Sequence, residues 1–174
     1  MGTLRWNAGN GSWDVAGNWS VVSGANTVPT ITDAATIDAP GFYTIAIAGP
    51  AAADLIQLNH AGATLDITGA LTLGTSLVGT AGTILANNAT ISGGTISGNV
   101  TATNATFIST TIVNPIQLTG GTLDGVTLQG AFTSGGSSLV LRDGLSFAPG
   151  GSFSYSFGSF SFVGSQTLDG GKLE

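Results

Sequence analysis

The side chains that could do chemistry in this 174-residue chain are few and far apart. Its nine acids are Asp14, Asp33, Asp38, Asp54, Asp66, Asp124, Asp143, Asp169 and Glu174. General acid–base catalysis needs two carboxylates held at one site. Asp33 and Asp38 lie five apart, as near as any two of these (Asp169 and Glu174 share that spacing), a distance equally natural for turn and strand-end residues that accept backbone hydrogen bonds. His60 is the single histidine and sits in Asn59-His60-Ala61-Gly62, which reads as a turn. No Gly-x-Ser-x-Gly elbow supplies a nucleophile for it to activate. Neither an Asp-x-Asp-x-Asp-Gly loop nor a Gly-Gly-x-Gly-x-Asp repeat offers a calcium site. Cysteine is absent, which excludes disulfides, thiolate metal sites and cysteine nucleophiles. The chemistry predicted is that of a non-enzyme with no cofactor and no metal.

Aromatic residues carry the other signal. Trp6, Trp13 and Trp19 are all the tryptophans of the chain, with Gly9, Gly11 and Gly17 between them. Exposed indole faces could stack on a glycan; buried ones could close the open end of a stacked fold. In GSFSYSFGSFSFVG (151–164), Phe153, Tyr155, Phe157, Phe160 and Phe162 alternate with serine. Period two suits a core strand with serine outward, or a flat aromatic face for a glycan or a neighbouring molecule.

Composition says what must hold these residues. Charged residues are 7% of the chain, against about 25% in ordinary soluble domains. Hydrophobic residues are 42% and mean hydropathy is +0.39, so the chain folds rather than staying disordered. Solubility therefore rests on Ser, Thr and Asn, which outward strand positions accept well. Net charge is −6, with Arg5, Arg142 and Lys172 the only cations. Three scattered cations build no phosphate-tracking groove and no patch for an anionic membrane, so nucleic acid and membrane insertion are not expected. No apolar run reaches eighteen residues, and Met1 is not followed by a basic and then apolar leader.

The chain changes style at Pro29. Residues 1–28 read as a Trp/Gly/Asn-rich cap, and 29–174 as short strands closed by Gly or Asn. ATIDAPGFYTIAIAG (35–49) is strand, Pro-Gly turn, strand, and further strands follow at 54–58, 64–68 and 70–74. No helical period appears. ISGGTISG (91–98) resembles LTGGTLDG (118–125) at an offset of 27, and ATLDITGALTL (63–73) resembles SSLVLRDGLSF (137–147) at an offset of 74. Such self-similarity means turns that bury each other's apolar faces. The expectation is an all-β, right-handed parallel β-helix with an N-terminal cap, at ~20–25 residues per turn. A β-sandwich is the alternative, for which Asn10-Gly11, Asp124-Gly125, Asp143-Gly144 and Asp169-Gly170 would be hairpin turns. A hydroxyl ladder able to order ice needs threonines on successive turns, and Thr101-Ala102-Thr103 reads as isolated. The Asn-x-Ser/Thr triplets at Asn10, Asn18, Asn88, Asn99 and Asn104 are expected by chance in a chain this rich in these residues.

Two stretches carry a likeness. Trp-Asn-x-Gly-x-Gly-x-Trp-Asp-x-x-x-Asn-Trp spans Trp6 to Trp19, and Pro-x-x-x-Asp-Ala-Ala-Thr-Ile-Asp-x-Pro-Gly-x-Tyr-Thr-Ile spans 29–45. With the turns at 63–73 and 123–130 they resemble passenger regions of autotransporter-type and filamentous-haemagglutinin-like bacterial adhesins over nearly the whole chain. The resemblance implies a β-helical stretch of a longer, secreted or cell-surface protein, working in adhesion, fibres or biofilm matrix. The partners it implies are a glycan, a host or matrix surface, or another copy stacked end to end.

Overall fold

Each short strand pairs in parallel with the strand one turn further along the chain, and none of these pairs is a hairpin. The computed structural model describes residues 1–174 apart from 114–115, 135–137, 156–157, 171 and 174, and apart from the side chains of Ser134, Tyr155, Leu168, Lys172 and Leu173. Within it the chain is a β-solenoid of about six turns. The sandwich alternative fails on strand direction, since a sandwich is built from antiparallel pairs. Among the described residues one pair is antiparallel, Gly2–Trp6 with Trp19–Ser23.

Three sheets run along the stack. Sheet A begins with Tyr43–Ile47 and continues through Ala63–Ile67, Thr83–Asn87 and 100–103. Sheet B holds 51–53, 70–72, Thr90–Ser92 and 106–108, and ends at Phe160–Phe162. Sheet C holds 2–5, 33–37, 55–58, 76–79, Thr95–Ser97 and Thr111–Val113, then 127–129 and 145–147. The parallel register sets like above like. On sheet C the inward file is Leu4, Ala35, Ile56, Leu77, Ile96, Ile112, Leu128 and Phe147, every one buried. On sheet B it is Leu71, Ile91, Phe107, Leu123 and Leu141, also buried. Each fully buried Leu or Ile contributes roughly 1.5–3 kcal/mol, and none finds a partner without the turns on either side.

The repeat is shorter than expected in the middle of the chain. Thr90, Thr106 and Thr122 lie in register, as do Thr95, Thr111 and Thr127, which gives sixteen residues per turn. On sheet C the step from Ala35 to Ile56 to Leu77 is twenty-one, and Leu141 to Phe162 on sheet B is again twenty-one. The stack is narrow at its waist and wider at both ends. Large rings fill the wider turns: Trp6, Trp13 and Trp19 at one end, Phe132, Phe147 and Phe153 at the other. The offsets of 27 and 74 are not the repeat of the structure. Gly93-Gly94 leads into sheet C, whereas Gly120-Gly121 leads into sheet B. Residues 63–73 turn the corner from sheet A to sheet B, and 139–147 turn the next corner. What recurs in sequence is the unit strand, corner, strand, and every turn contains several.

The corners explain the Gly and Asn content. Between sheets A and B the corner position is Asn88, Asn104 and Gly120 on successive turns, with φ of 52°, 51° and 68°. Between sheets B and C it is Gly93, Ser109, Gly125 and Asp143, at 73°, 50°, 60° and 52°. A left-handed residue bends the chain, and Gly, Asn and Asp tolerate it best. Asp124-Gly125 and Asp143-Gly144 are therefore bends within the strands Gln117–Gln129 and Leu139–Phe147, not hairpins.

Replacing Asn104 with Gly is expected to leave stability within a few tenths of a kcal/mol, whereas Asn104→Val costs about 1–2 kcal/mol. Gly121→Ala is expected to cost more than either, because φ is 117° and a Cβ there runs into the Ala105 carbonyl of the turn below. Urea unfolding followed by circular dichroism checks the order; equal midpoints for all three would mean that corner geometry does not limit the fold.

Candidate functional site

The N-terminal end is where the chain departs from simple stacking. Gly2–Trp6 pairs in parallel with 33–36 on one edge and antiparallel with Trp19–Ser23 on the other. Gly11–Ser12 lies on the first strand of sheet A. These segments carry the three indoles over the core. Trp6, Trp13 and Trp19 are 1%, 2% and 5% exposed. Trp19 is edge-on to both others, with ring centres 5.0 Å from Trp6 and 4.8 Å from Trp13. Trp6 Nε1 donates to the Gly9 carbonyl at 3.2 Å and Trp19 Nε1 to the Trp13 carbonyl at 2.8 Å, while Trp13 Nε1 is buried without a partner. The faces on which a sugar would stack are covered by protein.

Asp33 and Asp38 serve separate structural purposes. Asp33 is 2% exposed. Its Oδ1 accepts the Gly2 N–H at 3.1 Å. Its Oδ2 accepts the Asn26 side chain at 2.7 Å, the Thr30 N–H at 3.1 Å and the Thr30 hydroxyl at 2.6 Å. Burial pushes this carboxyl up, but the bonds from Thr30, Asn26 and Gly2 outweigh it and hold the pKa below the ordinary value. One carboxylate thus ties the first strand to the 24–32 segment. Asp38 instead forms an exposed ion pair with Arg5, Nε to Oδ1 at 2.6 Å. His60 lies against the Tyr43 ring, and its Nδ1 accepts the Gly62 N–H at 3.1 Å. The Tyr43 hydroxyl donates to the Ala39 carbonyl at 3.0 Å, and burial followed by the nearby Asp38 charge pushes its pKa up.

Two hollows flank Trp13. One, of about 120 Å³, lies between 12–14 and 46–51. The larger, of about 350 Å³, is lined by Trp13, Val28, Pro29, Pro50, Ala52 and Thr72, with Asp14 at its edge. Nothing in the sequence pointed to this hollow, because its walls come from four segments brought together only by the first two turns. Phe42, in the Pro40-Gly41 loop, is 96% exposed and was also not singled out. Its signal was a large aromatic placed directly after a Pro-Gly turn.

The second aromatic segment does not form one flat face. Ser152–Tyr155 lies in sheet A and Phe160–Phe162 in sheet B, with a corner between them. Phe153 is fully buried above Phe132 and packs edge-on to Phe160 at 5.8 Å. Phe160 is half-buried and Phe162 is 48% exposed. Phe157 and the Tyr155 side chain lie outside the described residues.

Threonines do stack on successive turns, contrary to the isolated reading of 101–103. Ser76, Thr95, Thr111, Thr127 and Ser146 form one outward file on sheet C. The neighbouring file is Val78, Ser97, Val113 and Gln129, so no second hydroxyl file completes a two-dimensional array. On sheet B the file beside Thr90, Thr106 and Thr122 contains Ile108, Asp124 and Arg142.

Among the described residues no three His, Cys, Asp or Glu groups gather as metal ligands, and no helix is long and apolar enough to cross a membrane. The chain matches no protein-family model, no curated protein and no solved structure. The class that the geometry defines is a β-solenoid with a tryptophan-filled N-terminal end.

Two outcomes are expected here. Tryptophan emission is blue-shifted, resists acrylamide quenching and does not move when sugars are added; red-shifted emission that responds to sugar would mean open indole faces. Stability supplied by Asp33 is full above the unfolded carboxyl pKa of about 3.9 and is lost as pH falls through the lower folded value. Asp33→Asn therefore lowers stability at neutral pH by roughly 1–3 kcal/mol and flattens the acid limb below about pH 4. Thermal melts between neutral pH and the acid limb check both effects.

Proposed function

We propose that this chain is a structural, non-catalytic module of a bacterial surface protein: a length of adhesin stalk, surface fibre or biofilm matrix, secreted or held at the cell surface. The observation that carries the reading is the unbroken inward file on sheet C from Leu4 to Phe147. A file of this kind makes a rigid spacer whose length is set by the number of turns. Ten strand layers on sheet C, from Trp19–Ser23 to Leu168–Asp169, give a rod of about 40–45 Å.

Three further features support it. A chain with 7% charged residues is solubilised by hydroxyls and amides, which suits a module exposed in series with others. The polar groups that catalysis would draw on are engaged in holding loops: Asp33 with Gly2, Asn26 and Thr30, Asp54 with Thr75, and His60 with Gly62. The likeness of residues 6–45 to adhesin passenger regions points the same way. Glycan binding through Trp6, Trp13 and Trp19 finds no open indole face to use.

The test is accessibility in the native cell. An antibody raised against the folded chain is expected to label intact, unpermeabilised cells or their matrix, and deletion of the encoding gene is expected to reduce surface attachment. Labelling only after lysis would overturn the surface assignment. Small-angle scattering of the purified chain should give an elongated particle; a round one would remove the spacer argument.

A further inference from the structure

Two features of the first turn are unexplained by the fold, and they are complementary. The first is a knob. Phe42 stands 96% exposed, although a phenylalanine left in water forgoes its whole burial contribution. It is presented rigidly: Gly41 at φ 118° turns the chain, and its neighbour Tyr43 is buried and bonded back to the Ala39 carbonyl. A knob already fixed in place loses little freedom on docking. Four residues before it, Asp38 holds Arg5 through Nε, and the Arg5 side chain is still 56% exposed. A guanidinium has further N–H donors to offer.

The second feature is the larger hollow. Its 350 Å³ is lined by Val28, Pro29, Pro50 and Ala52 next to the buried Trp13, apolar walls that suit a phenyl ring, and its one charged lining residue is Asp14. Asp14 is exposed and takes part in no ion pair among the described residues. A knob bearing a phenyl ring and a guanidinium thus has its counterpart in an apolar hollow with a carboxylate.

We propose that the hollow is the docking site for Phe42 of a second copy of this chain, with Arg5 of the incoming copy meeting Asp14. The knob lies at the corner between sheets C and A, and the hollow beside the corner between sheets A and B. The contact is therefore heterologous: each copy donates a knob on one side and receives one on the other. Such contacts propagate into open runs of copies unless the rotation closes them into a ring. Copies join side by side through their first turns, which leaves the open faces at the two ends of the stack out of the contact. This inference deepens the structural reading above by naming how modules associate, and it rests on that reading for its purpose.

Sedimentation velocity over a concentration series up to about 1 mM tests it. The wild-type chain is expected to form growing oligomers. Phe42→Ser, on the surface, and Ala52→Trp, which fills the hollow from an outward position, are each expected to weaken association at least about tenfold. Thr72→Trp fills the same hollow from the next turn and serves if Ala52→Trp does not fold by circular dichroism. Mixing Phe42→Ser with the filled-hollow variant is the decisive step. One retains only a hollow and the other only a knob, so the mixture is expected to form one-to-one dimers and stop. A wild-type chain that stays monomeric, or association unchanged in Phe42→Ser, would overturn the contact. A monomer that still labels on intact cells would sink the contact and leave the surface module standing. Association through Phe42 in a chain found only inside cells would do the reverse.

Discussion

Everything in this molecule depends on the parallel hydrogen-bonded register between one turn and the next. It places each residue directly over its counterpart, about 4.8 Å away. An inward position must therefore be apolar on every turn, as in the file from Leu4 to Phe147. A corner must likewise be able to adopt a left-handed conformation on every turn, as at Asn88, Asn104 and Gly120. The same register makes no demand on the outward positions beyond compatibility with a strand. Threonine meets that demand, and one outward file on sheet B (Thr90, Thr106, Thr122) and one on sheet C (Thr95, Thr111, Thr127) are built from it.

Stacking creates a problem that it cannot solve, namely that a stack has ends. An open turn shows an apolar interior and a row of unpaired backbone groups to water. At the N-terminal end the remedy is a strand of reversed direction, Trp19–Ser23, laid against Gly2–Trp6, with the Trp19 ring edge-on to those of Trp6 and Trp13. Reversal ends the parallel pattern, and the rings fill the wider first turns. The Asp33 carboxylate then ties Gly2, Asn26 and Thr30 into one unit, so the cap is held by a charge as well as by packing. A charge-poor chain uses one of its few carboxylates where four donors converge.

This economy also shapes function. With faces of hydroxyls, amides and small aliphatics, the stack offers little to a charged ligand along its length. The features that stand out from it belong to the first turn: Phe42 in a braced loop, Arg5 paired with Asp38, and the hollow next to Trp13. On the reading proposed above, the uniform middle is the spacer and the distinctive first turn its place of contact.

The sequence by itself determined the fold class. Period-two strands with Gly or Asn between them, and no helical period, define an all-β chain, because both signals are local, whereas the parallel pairing that chose a stack over a sandwich is not. It also determined that Trp6, Trp13 and Trp19 belong to one end, since they lie within nineteen residues of each other. Tertiary structure decided the rest. The repeat of sixteen at the waist was hidden because the corners at 88, 93, 104, 109, 120 and 125 all lead to Thr and an apolar residue, so Gly-Gly-Thr at 93–95 and at 120–122 look alike while belonging to different sheets. The aromatic run from Phe153 to Phe162 reads as one face, but a corner divides it between two sheets. The hollow joins residues 13, 28–29, 50–52 and 72, which are neighbours only once the cap has folded onto the first turns. Local propensity is written residue by residue, whereas a site assembled from separate turns exists only after the register has set them side by side.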